Sequence, residues 1–451
     1  MQSGVRWRLT VMMVLQYAVW GAWVVVAGKY LMDAPPQGLG FDGAQVGVIF
    51  SLLPLATIVS PFIAGQIADR YVNTEKFLGV LHILGGVMMF LMARETDYKR
   101  FLAYMLIYSL VYAPTLALSN SLTFVHLTSA EREFGGIRVG GTIGWILAGW
   151  ILAIWRTAAK VPVHGDLFYL AGILSLVLGL FSFALPATPP KREGTNPLAF
   201  LEALRLFKNP SFAVFMAISF VVGTELEFYY ILTAPFLGSH PDLGGIGIPG
   251  SRISAYMSIA QIAEIAVMLS LRYILPAWGV RKTLVVGIIA WPIRYAIFAL
   301  LPIKWLVLAS LTLHGFCYVF FFVVGFIYVD QVAPKDIRAS AQALVALVVL
   351  GLGRWVGSNF AGQVQKYFTV KLDPPVWMDQ AGNLVHSKPA QDMINQFTEI
   401  TTKTDWRMVF LVPCVLTVLC AIVFPILFRE NTARTEAAAD AASDSGPKDA
   451  S

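Results

Sequence analysis

Charged residues are scarce in this sequence. Of its 451 residues only 13% are Asp, Glu, Lys or Arg, and 57% are hydrophobic, whereas an ordinary soluble domain is about 25% charged. The mean hydropathy is +0.67. This composition excludes a soluble enzyme and a disordered regulator. The hydrophobic runs are continuous and do not alternate with polar residues, which excludes an outer-membrane β-barrel.

Cysteine is scarce as well. Cys317, Cys414 and Cys420 all lie inside hydrophobic runs, without metal-ligand spacing or a pattern that suggests disulfides. We interpret them as small packing residues. The glycine-rich segment 135–144 opens a hydrophobic run and does not follow a strand, which argues against nucleotide binding. Without a catalytic nucleophile or a metal-ligand cluster in the sequence, we expect no enzyme activity, no cofactor and no metal site.

What the sequence does contain is long hydrophobic runs. A membrane-spanning helix needs about 20 apolar residues, and the chain has room for twelve such spans with short loops. The first run follows Arg6 and Arg8 and is too long for a signal peptide. The predicted spans are Leu9–Met32, Gly43–Ile67, Phe77–Ala93, Phe101–Leu122, Gly140–Ile154, Phe168–Leu185, Ser211–Leu237, Ile253–Leu275, Thr283–Leu301, Trp305–Val329, Ser340–Phe360 and Val409–Phe428.

The predicted fold class is therefore an all-α membrane protein with twelve transmembrane helices in two pseudo-symmetric six-helix bundles. We expect an N-terminal bundle at 1–187, a cytoplasmic linker at 188–209 and a C-terminal bundle at 210–429. A polar extracytoplasmic loop, either a lid or an insertion, is expected at 366–405. The tail 430–451 is rich in Ala, Ser and Asp and is expected to be disordered.

The basic residues indicate the orientation. If the N-terminus is cytoplasmic, most Lys and Arg residues near the spans fall on the cytoplasmic side, as the positive-inside rule requires. The net charge of +6 is then explained by topology, and we expect no nucleic-acid partner. With an even number of spans, both termini are predicted to be cytoplasmic.

A charged turn recurs in the two halves. Gly65–Arg70 follows the second predicted span, and Arg272–Lys282 follows the eighth. Asp69 is expected to cap a helix terminus or to pair with a basic residue across the two halves. On that interpretation Asp69 and Arg70 control gating; the alternative is an ordinary charged turn.

We single out six charged residues that lie within the predicted spans or, for Arg138, at the start of one. A charge at the centre of a bilayer costs about 2.5–3.5 kcal/mol on insertion scales, so each such residue is a functional candidate. These residues are Arg138, Glu225, Glu227, Glu264, Arg294 and Arg354.

Helical spacing sorts the candidates by face. Arg138, Thr142 and Trp145 follow i, i+4, i+7 and share one face. Gln261 and Glu264 follow i, i+3 and also share a face.

Glu225 and Glu227 are two positions apart, so on a helix they point about 200° away from each other. They cannot both face a central cavity. We predict that one of them lies in the pocket and the other in a contact between helices.

An ordered set of motifs runs along nearly the whole chain. It includes Trp20-Gly21-Ala22-Trp23, Tyr112-Ala113-Pro114-Thr115, Gly141-Thr142-Ile143-Gly144, Gly223-Thr224-Glu225-Leu226, Gln261-Ile262-Ala263-Glu264 and Ile337-Arg338-Ala339-Ser340. In this order the motifs resemble the bacterial nucleoside–proton symporter family of the major facilitator superfamily. The resemblance implies proton-driven import of nucleosides by alternating access. It also implies a monomer in the lipid bilayer of the inner membrane.

The resemblance also implies a substrate pocket. The family's pocket residues are matched unchanged at Arg138, Thr142, Gln261 and Glu264, and its aromatic positions at Trp145 and Tyr318. Glu227, Tyr230 and Val319 stand where the family has Gln, Asn and Asp. Glu227 is expected to restore a carboxylate to the cavity, and Tyr230 to stack on a base or narrow the pocket. These departures leave open another polar solute, a sugar or a modified nucleoside, with altered proton coupling.

Roles follow for the charged candidates. Glu264 is predicted to carry the proton, because burial favours the neutral form of a carboxyl and makes protonation near neutrality feasible, and Glu227 is a second candidate. Arg138 is predicted to hold the ligand or to tune the carboxyl, the alternative being an arginine that snorkels to the inner leaflet. Arg294 is expected to neutralise an acidic group between helices. No role is assigned to Arg354.

Overall fold

The architecture is taken from a computed structural model of the chain. It describes residues 3–60, 71–128, 130–159, 164–190, 199–334, 337–379, 383–390, 393 and 397–429. Apart from a small sheet near the C-terminal end, the described chain is helical.

Six helices make up the described part of the N-terminal half. These helices are apolar around most of their circumference, which is the pattern of a helix that is buried or surrounded by lipid. The helices are α1 (Ser3–Met32, with a break at Ala22 and Trp23), α2 (Gly43–Ser60), α3 (Thr74–Met92), α4 (Tyr98–His126), α5 (Ala130–Ala159) and α6 (Asp166–Ser182).

The C-terminal half begins after a short 3₁₀ segment at Ala199–Lys208. A helical stretch of 48 residues, Ile253–Leu300, is divided at Gly279, whose φ of 72° and ψ of 171° are not helical. Glycine tolerates this backbone conformation because it has no Cβ. The helices are α7 (Pro210–Gly238), α8 (253–278), α9 (280–300), α10 (Lys304–Val332), α11 (Arg338–Tyr367) and α12 (Trp406–Leu427).

Ten helices in the described part of the chain are long and apolar enough to cross a membrane, and the stretch divided at Gly279 is one of them. Helix α6, Asp166–Ser182, is apolar but shorter. The predicted helical membrane fold is confirmed. The predicted second span extended to Ile67, but α2 is described only as far as Ser60.

Among the described residues, three helix pairs make the most extensive contacts between the two halves. Within the N-terminal half α1 packs on α5 and α3 on α6; within the C-terminal half α7 packs on α11 and α9 on α12. Between the halves α1 packs on α7, α2 on α11 and α5 on α8. Residues on these three pairs therefore face the opposite half.

The halves touch closely at the end of the molecule that carries the loop after α1. Lys366 Nζ on α11 lies 3.1 Å from Asp42 Oδ2 at the start of α2. A Cβ placed on Gly47 would lie 3.1 Å from the Cα of Gly362, so α2 and α11 are in backbone contact. This end of the interface is closed.

A small antiparallel sheet lies at the same end, where the sequence predicts only a polar loop. Its strands are β1 (Thr369–Asp379), β2 (Leu384–Val385) and β3 (Phe397–Thr404), in the order β2-β1-β3. The side chain of Gln365 donates to the hydroxyls of Thr369 and Thr404, at 2.9 and 3.0 Å. The sheet is thus attached to the end of α11, beside the ion pair of Lys366.

Candidate functional site

The predicted stripe on α5 faces the centre of the molecule. Arg138, Thr142 and Trp145 are all half-buried, as side chains that line a cavity would be. The guanidinium carbon of Arg138 lies 4.0 Å from the ring centroid of Tyr17 on α1. This cation–π contact holds the arginine against α1 without using its N–H groups.

The predicted pair on α8 lies across the interface from this stripe. The indole Nε1 of Trp150 on α5 donates to Ser258 Oγ on α8 at 2.8 Å and fixes the register of the two helices. The narrow space between them, too small for a water molecule in this arrangement, is lined in part by Trp145 and Gln261. Glu264, one turn further along α8, is half-buried and interacts electrostatically with Arg138.

Gln261 is 3% exposed, and its Oε1 has no hydrogen-bond partner among the described residues. A buried polar atom without a partner is costly unless something else binds it. The phenol of Tyr229 lies close to the same side chain. Gln261 therefore presents an acceptor to the interface that a ligand hydroxyl or N–H group can use.

Aromatic rings form the rest of the wall. Trp145 lies 5.4 Å from Trp20 on α1 and 6.4 Å from Tyr230 on α7, measured between ring centroids. Tyr318 on α10 interacts electrostatically with Glu264. Rings from four helices thus surround the charged groups, an arrangement suited to a planar or cyclic solute.

Three helices of the C-terminal half widen into π-type turns next to these side chains. The turns are Phe228–Leu232 in α7, Phe316–Val323 in α10 and Leu347–Gly353 in α11. Such turns are rare and occur frequently at functional sites. Here they contain Tyr230 and Tyr318 and immediately precede Arg354.

Glu227 has a partner that the sequence does not reveal. Arg354 Nε on α11 donates to Glu227 Oε1, and Ser358 Oγ donates to Glu227 Oε2 at 3.0 Å. The two helices come this close because Gly357 faces the backbone of Thr224, where a Cβ would not fit. The expected free carboxylate is therefore half of a buried ion pair, which gives Arg354 a place in the site.

Glu225 is buried on another side of α7. Both of its carboxyl oxygens lack a hydrogen-bond partner among the described residues, and its carbonyl accepts from Tyr295 OH on α9 at 2.5 Å. Glu225 and Glu227 do diverge, as their spacing predicts. Neither side chain is exposed to the cavity, however, since both are 0% exposed.

The surroundings of Arg294 differ from the prediction. No acidic side chain in the described part of the chain pairs with it. Its guanidinium carbon instead lies 4.5 Å from the ring of Tyr229, 4.7 Å from Trp291 and 5.2 Å from Tyr295. Its Nη1 lies 3.3 Å from His314 Nδ1. Aromatic faces rather than a carboxylate stabilise this buried cation.

Seven of the eight predicted substrate residues form one group around the contact of α5 and α8: Arg138, Thr142, Trp145, Tyr230, Gln261, Glu264 and Tyr318. The eighth, Glu227, reaches the group through Arg354, which interacts electrostatically with Tyr230 and Tyr318. Sequence reasoning missed Trp20 and Ser358 as parts of the site, and it listed Arg354 as a candidate without a role. An arginine inside one span and a carboxyl inside another were the only signals of the pair of Arg354 and Glu227. Asp69 and Arg70 lie outside the described residues.

A larger pocket, of about 680 Å³, lies at the closed end of the molecule. It is lined by the last turns of α9, the start of α12 and the sheet, including Phe298, Lys403 and Trp406. It contains none of the six charged candidates singled out from the sequence and is separate from the site.

The chain is similar in sequence and in structure to known nucleoside transporters. The sequence model of a family described as nucleoside H⁺ symporters matches residues 3–433. The chain is 32% identical to a xanthosine permease of Escherichia coli over 83% of this chain and 92% of that protein. It is 28% identical to the nucleoside permease NupG of Escherichia coli, over 95% and 96% of the two chains. The crystal structure of the nucleoside transporter NupG superposes with a TM-score of 0.77, covering 95% of this chain and all of that one, at 27% identity.

Proposed function

Because this chain belongs to the nucleoside H⁺ symporter family, we propose that it imports nucleosides together with protons by alternating access, through the site between α5 and α8. The chain is a multi-pass membrane transporter, not an enzyme. One observation supports the assignment of the site. Arg138, Thr142 and Trp145 of the N-terminal half face Gln261 and Glu264 of the C-terminal half.

Each side chain has a role that its chemistry supports. Glu264 carries the proton, since it is a half-buried carboxyl beside an arginine, at the contact of the two halves. Gln261 and Thr142 hydrogen-bond the ribose or the base. Trp145 and Tyr318 stack against the base, because aromatic faces bind any nucleobase through its π-system.

Arg138 couples the two ligands. Its guanidinium is within electrostatic range of Glu264 and is held in place by the ring of Tyr17. When Glu264 is protonated, Arg138 loses its counter-charge and its N–H groups become available to the nucleoside. Proton binding then raises nucleoside affinity, which is the differential affinity that drives symport.

The two bundles, 1–187 and 210–429, rock about this site and are joined by the linker 188–209. With both termini in the cytoplasm, the closed end with Asp42 and Lys366 faces outside. The path to the outside is then closed in this arrangement. Asp69 and Arg70, on the cytoplasmic side, hold the opposite state closed.

We further propose that the protein lies in the bacterial inner membrane and works as a monomer. Nucleosides and protons are its substrates in this proposal, and the surrounding lipid contacts the exposed apolar faces of the helices.

The proposal is tested by uptake of radiolabelled uridine and guanosine into proteoliposomes that contain the full chain. An inward proton gradient should drive accumulation above the external concentration, and a protonophore should abolish it. Uptake of a sugar but of neither nucleoside would assign the site to another polar solute and overturn the proposal.

A further inference from the structure

Arg354 lies at the edge of the proposed nucleoside site, beside Tyr230. It is 7% exposed, on the first turn after the π-type segment of α11. The guanidinium carbon lies 5.4 Å from the ring centroid of Tyr230 and 5.5 Å from that of Trp20. Trp20 belongs to the N-terminal half, so the guanidinium sits where the two halves meet.

Among the described residues, one hydrogen bond is found for the guanidinium of Arg354, from Nε to Glu227. The two Nη groups make none with these residues. A guanidinium carries five N–H donors in a fixed plane. The N–H groups at its free end are therefore available to a ligand between the halves.

Glu227 fixes the direction of this free end. One carboxylate oxygen accepts from Arg354 and the other accepts from Ser358, one turn further along α11. The carboxylate is thereby held in one plane, and the guanidinium that it binds is held with it. A glutamine at position 227, which the family resemblance leads one to expect, would lack the charge needed to hold a buried arginine.

The aromatic rings decide how a base can approach. Trp145 is in ring contact with both Trp20 and Tyr230. The guanidinium of Arg354 lies over the rings of Trp20 and Tyr230, so it covers these two rings and leaves the ring of Trp145 to a nucleobase. A base that stacks on Trp145 presents its edge, not its face, to the groups beside this ring, and Arg354 is one of them.

A guanidinium fork fits one type of base edge best. In a 6-oxopurine, N7 and O6 are adjacent acceptors that accept two parallel hydrogen bonds from arginine. Adenine carries an amino group in place of O6, which opposes a donor with a donor. Pyrimidines lack the N7 acceptor altogether.

From this geometry we infer that Arg354, positioned by Glu227, makes the site selective for 6-oxopurine nucleosides such as guanosine, inosine and xanthosine, through their N7 and O6 atoms. This inference rests on the proposed nucleoside transport and goes beyond it. The selectivity is a property of the base edge, whereas Arg138, Gln261 and Glu264 serve every nucleoside.

The first test needs no variant. Proton-driven uptake of guanosine, 7-deazaguanosine and adenosine is measured in proteoliposomes with the wild-type chain. 7-Deazaguanosine keeps O6 and differs from guanosine by the loss of the N7 acceptor. Because a hydrogen bond to a charged group is lost, KM should rise about tenfold or more for 7-deazaguanosine, and further for adenosine. Equal KM values for the three substrates would overturn the inference.

The second test assigns the selectivity to Arg354. Arg354→Lys keeps the charge and loses the planar fork. In this variant the KM values for guanosine and 7-deazaguanosine should therefore become about equal. Arg252→Lys, at an exposed arginine before α8, is the matched control and should keep the wild-type ratio. An unchanged ratio in Arg354→Lys would contradict the inference.

Different results would refute the proposed transport function and the proposed role of Arg354. If no nucleoside is accumulated by the wild-type protein, the proposed function fails and this inference fails with it. If nucleosides are accumulated but guanosine has no advantage, only the role of Arg354 is refuted. If Arg354→Lys does not fold, the comparison of guanosine with 7-deazaguanosine in the wild-type protein still decides.

Discussion

Arg354 on α11 and Glu227 on α7 form a buried ion pair within the C-terminal half, with Ser358 as a second donor to the carboxylate. Each charge of a buried ion pair stabilises the other, because removing one of them leaves the other buried without a counter-charge. The pair therefore joins two helices of one bundle and at the same time places a guanidinium at the interface of both bundles.

The first prediction concerns the stability of this pair. Glu227→Gln leaves Arg354 buried without a counter-charge, and should lower the free energy of unfolding by about 3 kcal/mol. Glu227→Gln combined with Arg354→Gln should be more stable than Glu227→Gln alone. Thermal unfolding in detergent measures both, and a double-mutant cycle gives the coupling energy.

Glu399→Gln is the control for this cycle, since Glu399 is exposed on β3 and its replacement should leave the midpoint of unfolding unchanged. A double variant that is destabilised by the sum of the single effects would show that the two residues do not depend on each other. Uptake by Glu227→Gln should also show a changed affinity or a changed pH dependence, because Arg354 loses its fixed orientation.

The second prediction separates coupling from binding. Glu264→Gln removes the titrating group and keeps the shape of the side chain. It should abolish accumulation driven by a proton gradient, while exchange of internal for external nucleoside continues at a measurable rate. Counterflow in proteoliposomes measures the exchange. Full retention of proton-driven accumulation in this variant would refute the role of Glu264.

Much of the fold could be predicted from sequence because the signal is strong and local. A run of about 20 apolar residues in a chain with few charges has few alternatives to a membrane helix. The face shared by Arg138, Thr142 and Trp145 follows from helical periodicity alone. The family resemblance then indicated which face of which helix is turned inward.

The partners of buried charges could not be predicted, because pairing depends on the distance between helices that are far apart in sequence. Glu227 and Arg354 are 127 residues apart, and nothing local to either residue indicates the other. Arg294 shows the converse case, since a carboxylate was expected and the partners are the rings of Tyr229, Trp291 and Tyr295. The sheet formed by β1–β3 was missed because its strands lie in a polar segment without a clear alternating pattern.

The third prediction concerns Arg138. Arg138→Ala should weaken nucleoside binding by about tenfold or more, because a charged donor to the ligand is lost. Tyr17→Phe keeps an aromatic face beside the guanidinium and should bind with nearly wild-type affinity. Equilibrium binding of radiolabelled nucleoside at fixed pH measures both variants. Wild-type affinity in Arg138→Ala would mean that this arginine only anchors α5 at the membrane surface.

The fourth prediction concerns the closed end. A side chain at position 47 would collide with α11, where a Cβ would already lie 3.1 Å from the Cα of Gly362. Gly47→Leu should therefore hold the end open and reduce uptake by more than tenfold. Gly135→Leu is the control, since a Cβ at Gly135 meets no atom within 4 Å.

The opening can be detected directly. Ser51, one turn from Gly47 on α2, is 4% exposed, so Ser51→Cys should react slowly with a membrane-impermeant maleimide. The same cysteine in the Gly47→Leu background should react faster. Equal rates in the two backgrounds would show that contact of α2 with α11 does not close this end. The ion pair of Asp42 and Lys366 is partly exposed and should contribute about 1 kcal/mol or less to the closure.

The most direct test of the account is the proton movement that a nucleoside causes. Proteoliposomes that contain the full chain and a pH-sensitive dye in the lumen are mixed with uridine or guanosine, with no proton gradient imposed. The account predicts that the lumen acidifies as the nucleoside enters, and that Glu264→Gln abolishes the acidification. Entry of nucleoside without acidification in the wild-type protein would contradict proton-coupled transport through this site.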